Sequence, residues 1–169
     1  MLKMIGVIFI ITGCGGVGFQ IASNYRREEK ALQQLLKILE FMDCELQYRL
    51  TPLPELCRQA SRMFKPIPGR IFGDLALEME SQISPDVAYC MTAVLRKNQN
   101  IPPVTKKILS VLGQSIGKFD LNGQIKGLCS AAAECQRNLD DLRQNRDARL
   151  RSYQTLGLCA GAALAILLV

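Results

Sequence analysis

Two runs of this chain carry no charge: residues 4–25, which make 22, and residues 152–169, which make 18. A hydrocarbon core about 30 Å thick needs roughly 20 helical residues at about 1.5 Å each, so both runs have the length of a membrane-spanning helix. That constraint divides the chain into an N-terminal transmembrane helix at 1–25, a helical domain at 26–151 and a C-terminal transmembrane helix at 152–169. Basic residues gather on the inner flanks, Arg26, Arg27 and Lys30 after the first run and Arg146, Arg149 and Arg151 before the second, against Lys3 alone outside. By the positive-inside bias the middle domain is cytoplasmic.

What lies between the runs is enough for one modest domain with its own core. Its composition excludes most catalytic chemistry. There is no histidine, which removes the usual general base and every Ser/His or Cys/His arrangement. Seven cysteines, at 14, 44, 57, 90, 129, 135 and 159, form no C-x-x-C pair, so neither a metal nor a cofactor is expected and the thiols read as reduced, buried small hydrophobes. The adjacent acids Glu28 and Glu29, and Asp140 and Asp141, point about 100° apart on a helix and read as solvated charges, not catalytic pairs. No Gly-x-x-x-x-Gly-Lys-Ser/Thr loop is present, so an ATPase would have to be a partner. The formal charge of +6 is unevenly placed: Asp74, Glu78, Glu80 and Asp86 cluster, then Arg96, Lys97, Lys106, Lys107 and Lys118 follow with no acid before Asp120. Such asymmetry suits a surface that meets acidic lipid or an acidic partner protein. Aromatic residues are sparse and no nucleic-acid motif is present, so nucleic acid is not an expected partner.

The first run admits two other readings. Gly13-Cys14-Gly15-Gly16-Val17-Gly18 matches G-x-G-x-x-G and leaves a nucleotide-binding membrane enzyme as an alternative. That fingerprint needs a βαβ unit, whereas residues 26–49 are charged and helical in period. Ile11-Thr12-Gly13-Cys14 has the form of a lipobox, which leaves a lipoprotein adaptor, cleaved and lipidated at Cys14, as the other alternative. A retained span explains more residues, because the stretch after Cys14 stays uncharged and largely apolar. Cys14, Gly18 and Ala22 share one face at four-residue spacing, and Gly157, Gly161 and Ala165 form a similar stripe, both suited to close packing of membrane helices.

Leu32, Leu35, Leu36, Leu39, Met42, Leu46 and Leu50 recur at three- and four-residue spacing, predicting a long amphipathic helix that runs unbroken out of the first span. Ile125, Leu128, Ala132, Cys135, Leu139 and Leu142 predict its antiparallel partner, leading into the second span. Four short helices fall between them. Thr51-Pro52 offers an N-cap followed by a first-turn proline, opening a helix that carries Leu53, Leu56, Ala60 and Phe64, and Pro66-Ile67-Pro68-Gly69 reads as a break before Ile71, Phe72, Leu75 and Met79. Ser84-Pro85-Asp86 opens the next, with Val87, Met91, Val94 and Leu95 inward, and Val104, Ile108, Val111, Leu112 and Ile116 mark the last. The fold class is all-α: a six-helix cytoplasmic bundle whose two long helices continue into N- and C-terminal transmembrane helices. Arg58, Arg62 and Lys65, on one face of the second helix, and Lys106 and Lys107, opening the fifth, are candidate contacts for an acidic partner or anionic headgroups.

The segment Leu112-Gly113-Gln114-Ser115-Ile116-Gly117-Lys118-Phe119-Asp120, then Gln124, together with Thr51-Pro52-Leu53-Pro54 and the two terminal runs, resembles the stage III sporulation protein AB family over nearly the whole chain. The resemblance implies a component of the channel complex that joins mother cell and forespore in endospore-forming bacteria, placed in the mother-cell membrane facing the forespore. It is similar to the inner-membrane platform protein of type II secretion and type IV pilus systems. It further implies a non-enzymatic scaffold that docks a cytosolic secretion-type ATPase and other channel membrane subunits. A platform carries two such domains in tandem and this chain one, so self-association would supply the second. Gly113, Gly117 and Asp120 map onto the family's turn, where the glycines would permit a tight end to the fifth helix and Asp120 would cap the sixth.

Overall fold

The structure, a computed structural model, describes the backbone of residues 2–64, 67–81, 86–116 and 121–168, and side chains at residue 20 and over 23–64, 67–81, 86–116 and 121–144. Six helices, and no strand among the described residues, follow in order: α1 Leu2–Arg49, α2 Leu53–Met63, α3 Ile67–Glu80, α4 Val87–Lys97, α5 Pro103–Ser115 and α6 Leu121–Leu168. The chain divides into the compact unit Glu28–Leu139 and a second unit made of its ends, Met1–Arg27 with Asp140–Val169. In the second, the backbone is helical wherever it is described.

The apolar period of α1 builds the core of Glu28–Leu139. Leu32, Leu35, Ile38, Leu39 and Met42 are wholly buried, and Ala31 and Leu46 nearly so. On α6 the answering residues are Leu128, Ala131, Cys135 and Leu139, all buried. The Cys135 thiol donates to the Leu32 carbonyl at 3.1 Å, and Cys129 Sγ lies 3.9 Å from Asp43 Oδ1. As the α1 number rises the α6 number falls, so the two long helices pair antiparallel within the unit.

Not every residue of the expected stripe is inside. Leu36 is only half-buried, while Ile38 takes a core place instead. Leu50 lies beyond the end of α1 with φ 52°, the left-handed region, and is 64% exposed. Once the helix stops at Arg49, its period no longer decides where the next side chain points. Thr51 does not cap α2 either. The helix opens on Pro52, which makes no side-chain cap, and the Thr51 hydroxyl lies 3.4 Å from Glu45 Oε2 on α1.

The short helices pack in sequence, α2 on α3, α3 on α4 and α4 on α5. Phe64, ending α2, meets Phe41 of α1 with ring centroids 6.3 Å apart. The expected break at Pro68-Gly69 is instead the first turn of α3, where proline's missing N–H costs nothing. A Cβ on Gly69 would lie 1.4 Å from the Phe64 carbonyl oxygen, so only glycine lets α3 begin so close behind α2. In α5 the buried stripe is Thr105, Ile108, Leu109, Leu112 and Gly113, and Val111 is exposed. The reason is contact on two sides, with α4 covering Gly113 and α1 covering Thr105. Gly113 lies inside α5 rather than at a turn: a Cβ there would sit 2.6 Å from Met91 Cβ, so its role is close approach of α4 and α5. Gly117 and Asp120 lie outside the described residues.

Gly69→Ala is expected to lower the unfolding free energy by about 3 kcal/mol, the upper end of overpacking costs, because the obstructing atom is backbone and cannot swing away. Chemical denaturation of the purified full chain measures this, with Lys107→Ala, an exposed helical substitution, expected to stay within about 0.5 kcal/mol of the parent.

Candidate functional site

Helix α5 starts on two prolines and has no side-chain cap of its own, since Pro102 occupies the capping position. Its first-turn amides need an acceptor from elsewhere. Glu28, the first residue of the compact unit, provides it: Oε1 accepts from the Thr105 N–H at 3.1 Å and from the Thr105 hydroxyl at 3.1 Å. Thr105 is fully buried, so this contact satisfies groups that water does not reach. A carboxylate at a helix N-terminus is favoured by the helix dipole as well. The reading of Glu28 and Glu29 as solvated charges is therefore corrected, because Glu29 also accepts from Gln33 Nε2, at 3.2 Å. Ile101-Pro102-Pro103, a helix start with no Ser, Thr, Asp or Asn, was the signal that a remote acceptor was needed.

The acidic cluster is drawn into contacts within the unit. Glu78 binds Lys97 at 2.8 Å, Asp74 accepts from Asn98 Nδ2 at 3.0 Å, and Asp86 caps α4 through the Ala88 N–H at 3.0 Å. The hydrogen bond it donates to Glu78, reinforced by that carboxylate's charge, holds the Lys97 ammonium above the ordinary lysine range. Arg58 pairs with Glu80 and, at 3.2 Å, with Glu55. Its charge is thus already matched inside the fold. Arg62 is exposed, as are Lys106 and Lys107, and these three have no partner among the described residues. Lys65 lies outside the described residues. The structure therefore keeps the candidate cations in two places, Arg62 on α2 and the lysine pair on α5.

At the opposite end of the unit from the Glu28 contact, the last turn of α1 and the first residue of α6 come to the same level through antiparallel pairing. Tyr48 is 81%, Leu50 64% and Leu121 39% exposed there. Sequence periodicity does not single these out: Leu50 is expected inside the α1 stripe, and Tyr48 and Leu121 belong to neither stripe.

The thiols divide by environment. Cys57, Cys90 and Cys135 are buried, whereas Cys44 and Cys129 are exposed, which corrects the expectation of uniformly buried cysteines. Burial pushes the Cys57 thiol up to about 12 and Cys135 to about 11. Cys90 is raised by burial, then by the charge of Glu78. Among the described residues no group of His, Cys, Asp and Glu could hold a metal ion. Residues 13–18 lie within α1 and not at a strand-to-helix turn, so the G-x-G-x-x-G match lacks the geometry that binds a dinucleotide. Among the described residues no helix is long and apolar enough to cross a membrane. The side chains of Cys14, Gly18, Ala22, Gly157, Gly161 and Ala165 lie outside the described residues.

The described residues thus form an all-α helical unit whose acidic cluster is engaged internally and whose surface carries exposed cations and exposed apolar side chains. The chain itself belongs to the stage III sporulation protein AB family, whose sequence profile matches residues 3–169. It is 23% identical over 172 residues to stage III sporulation protein AB of Bacillus subtilis (strain 168), covering 100% of each chain. A solved structure of a stage III sporulation protein AB shares the fold, with a TM-score of 0.63 and 17% identity over 72% of this chain and 98% of that one. A role in sporulation follows from the family.

Replacing Glu28 by Ala is expected to cost about 1–2 kcal/mol of stability, as for loss of a helix cap, while Glu28→Gln, which keeps an acceptor, costs less; denaturant unfolding separates them. At pH 8 an aromatic disulfide reagent is expected to label Cys44 and Cys129 in the native protein and the three buried thiols only after denaturation. Above the ordinary thiol value of 9.0 the unfolded chain gives up the Cys57 proton that the folded chain holds to about 12, so stability falls as pH rises through this window. Unfolding curves at several pH values are expected to show Cys57→Ala flattening that slope by about 1.4 kcal/mol per pH unit.

Proposed function

We propose that this protein is a non-catalytic platform of the sporulation channel between mother cell and forespore. Its terminal helices anchor it in the mother-cell membrane, and its cytoplasmic helical unit docks a secretion-type ATPase. The spans meet other membrane subunits of the channel, and self-association supplies a second copy of the helical domain. One observation carries this reading: α1 and α6 each reach from the core of the unit into an uncharged run of membrane-spanning length. A hairpin entered and left through two such runs has its ends committed to the bilayer and its middle free for partners. Family membership supports a role in sporulation.

Tyr48, Leu50 and Leu121 are the side chains best suited to an ATPase contact, since an interface core is built from aromatic and aliphatic groups. Arg62 adds an unmatched cation on α2. Because Arg58 is held by Glu55 and Glu80, its reversal would perturb folding and is a poor probe.

Crosslinking and co-purification of the full chain from sporulating cells tests the reading. The ATPase and at least one channel membrane subunit are expected to be recovered, and Tyr48→Ala or Arg62→Glu is expected to lower ATPase recovery about fivefold, the effect of losing roughly 1 kcal/mol at an interface. Recovery of neither partner with the unmodified protein overturns it. In intact cells, Cys44 and Cys129 are expected to resist a membrane-impermeant thiol reagent; ready labelling would favour an outward-facing lipoprotein adaptor.

A further inference from the structure

Residues 87–119 contain no Asp or Glu, and the α4–α5 connection lies in the middle of this stretch. Three exposed cations flank it, Arg96 in the last turn of α4 and Lys106 and Lys107 in the first turns of α5, with no partner among the described residues. The acids that approach the connection are all engaged: Glu28 with Thr105, Glu78 with Lys97 and Asp74 with Asn98. Ile101 and Pro102 are buried, so the connection is held against the core while its cations face outward.

The Glu28 contact ties this positive surface to the uncharged run through a short length of chain. Thr105 is bonded to Glu28, a residue only three positions along the chain from the uncharged run 4–25. Three residues of chain reach about 11 Å at most, comparable with a screening length of about 10 Å. We propose that the α4–α5 connection and the first turns of α5 form an electrostatic foot, in which Arg96, Lys106 and Lys107 rest on anionic phospholipid headgroups of the membrane that α1 enters. The partner is committed by charge complementarity and by that short spacing. This inference rests on residues 4–25 spanning the bilayer. The foot gives the unit a second hold on the membrane surface. Each cation near an anionic surface strengthens the hold about fivefold.

Hydrogen exchange of the full chain in lipid nanodiscs tests it, comparing discs of phosphatidylcholine with discs in which phosphatidylglycerol replaces part of that lipid. Amides of residues 99–107 are expected to exchange more slowly in the anionic discs. The ratio between the two discs is expected to fall about fivefold for each of Lys106→Gln and Lys107→Gln, and to survive Lys106→Arg. Glycerol phosphate added to neutral discs is expected to leave exchange unchanged; protection there would replace the membrane surface with a soluble phosphate site and overturn the foot. Equal exchange in both discs, with residues 4–25 protected in both, overturns the foot alone. Free exchange of residues 4–25 in both discs overturns the spanning helix, and the foot with it.

Discussion

A helix that carries Leu32, Leu35, Ile38, Leu39 and Met42 along one side cannot stand alone in water, and within Glu28–Leu139 that stripe is wholly buried. Full burial of one such side chain contributes about 1.5–3 kcal/mol, whereas exposed ion pairs in general contribute about 0–1 kcal/mol. The apolar seam therefore sets the fold, and the ion pairs adjust it. α6 covers one side through Leu128, Ala131, Cys135 and Leu139. The thiol of Cys135 fits because it fills the volume of a small hydrophobe and can still donate to the Leu32 carbonyl. α5 reaches the same helix by a different device, a polar one, at Glu28.

The seam and the Glu28 contact act on different properties. Apolar packing alone leaves a helix some freedom to slide, since neighbouring ridges offer similar burial. A carboxylate bonded to one amide and one hydroxyl of Thr105 has a single satisfactory position. Any axial slip of α5 would leave buried donors unpaired, at a cost of about 1–3 kcal/mol each. The Gly113–Met91 approach does the same for α4 against α5, by sterics instead of hydrogen bonding. Together they fix the α4–α5 connection relative to α1.

How far the sequence alone could be read follows from this division. Long-period apolar patterning exposed the six helices and the antiparallel pairing of α1 and α6, because both depend on which residues avoid water. Leu109 and Val111 exchanged places because α5 is covered from two sides, and periodicity gives the width of a stripe better than its centre. Pro68 and Gly69 looked like a break since both interrupt helices, yet proline is welcome in a first turn and glycine is demanded by the Phe64 carbonyl. Glu28 was invisible as a cap because its partner lies 77 residues away. The charge asymmetry was legible; that its acidic half is matched internally, Arg58 with Glu80 among the pairs, requires the packing of α2, α3 and α4.

Leu50 is the residue that folding explains least. A left-handed conformation costs a residue with a Cβ about 1–2 kcal/mol, and glycine would occupy it freely. Its side chain recovers little of that by burial, being 64% exposed beside Tyr48, which is 81% exposed. Stability within the unit thus argues for glycine at 50, on grounds of strain and of exposed apolar surface alike. Backbone strain of this kind concentrates where a surface is shaped for a partner. The end of α1, with Tyr48 and Leu50, is accordingly the surface on which the proposed partner contact rests.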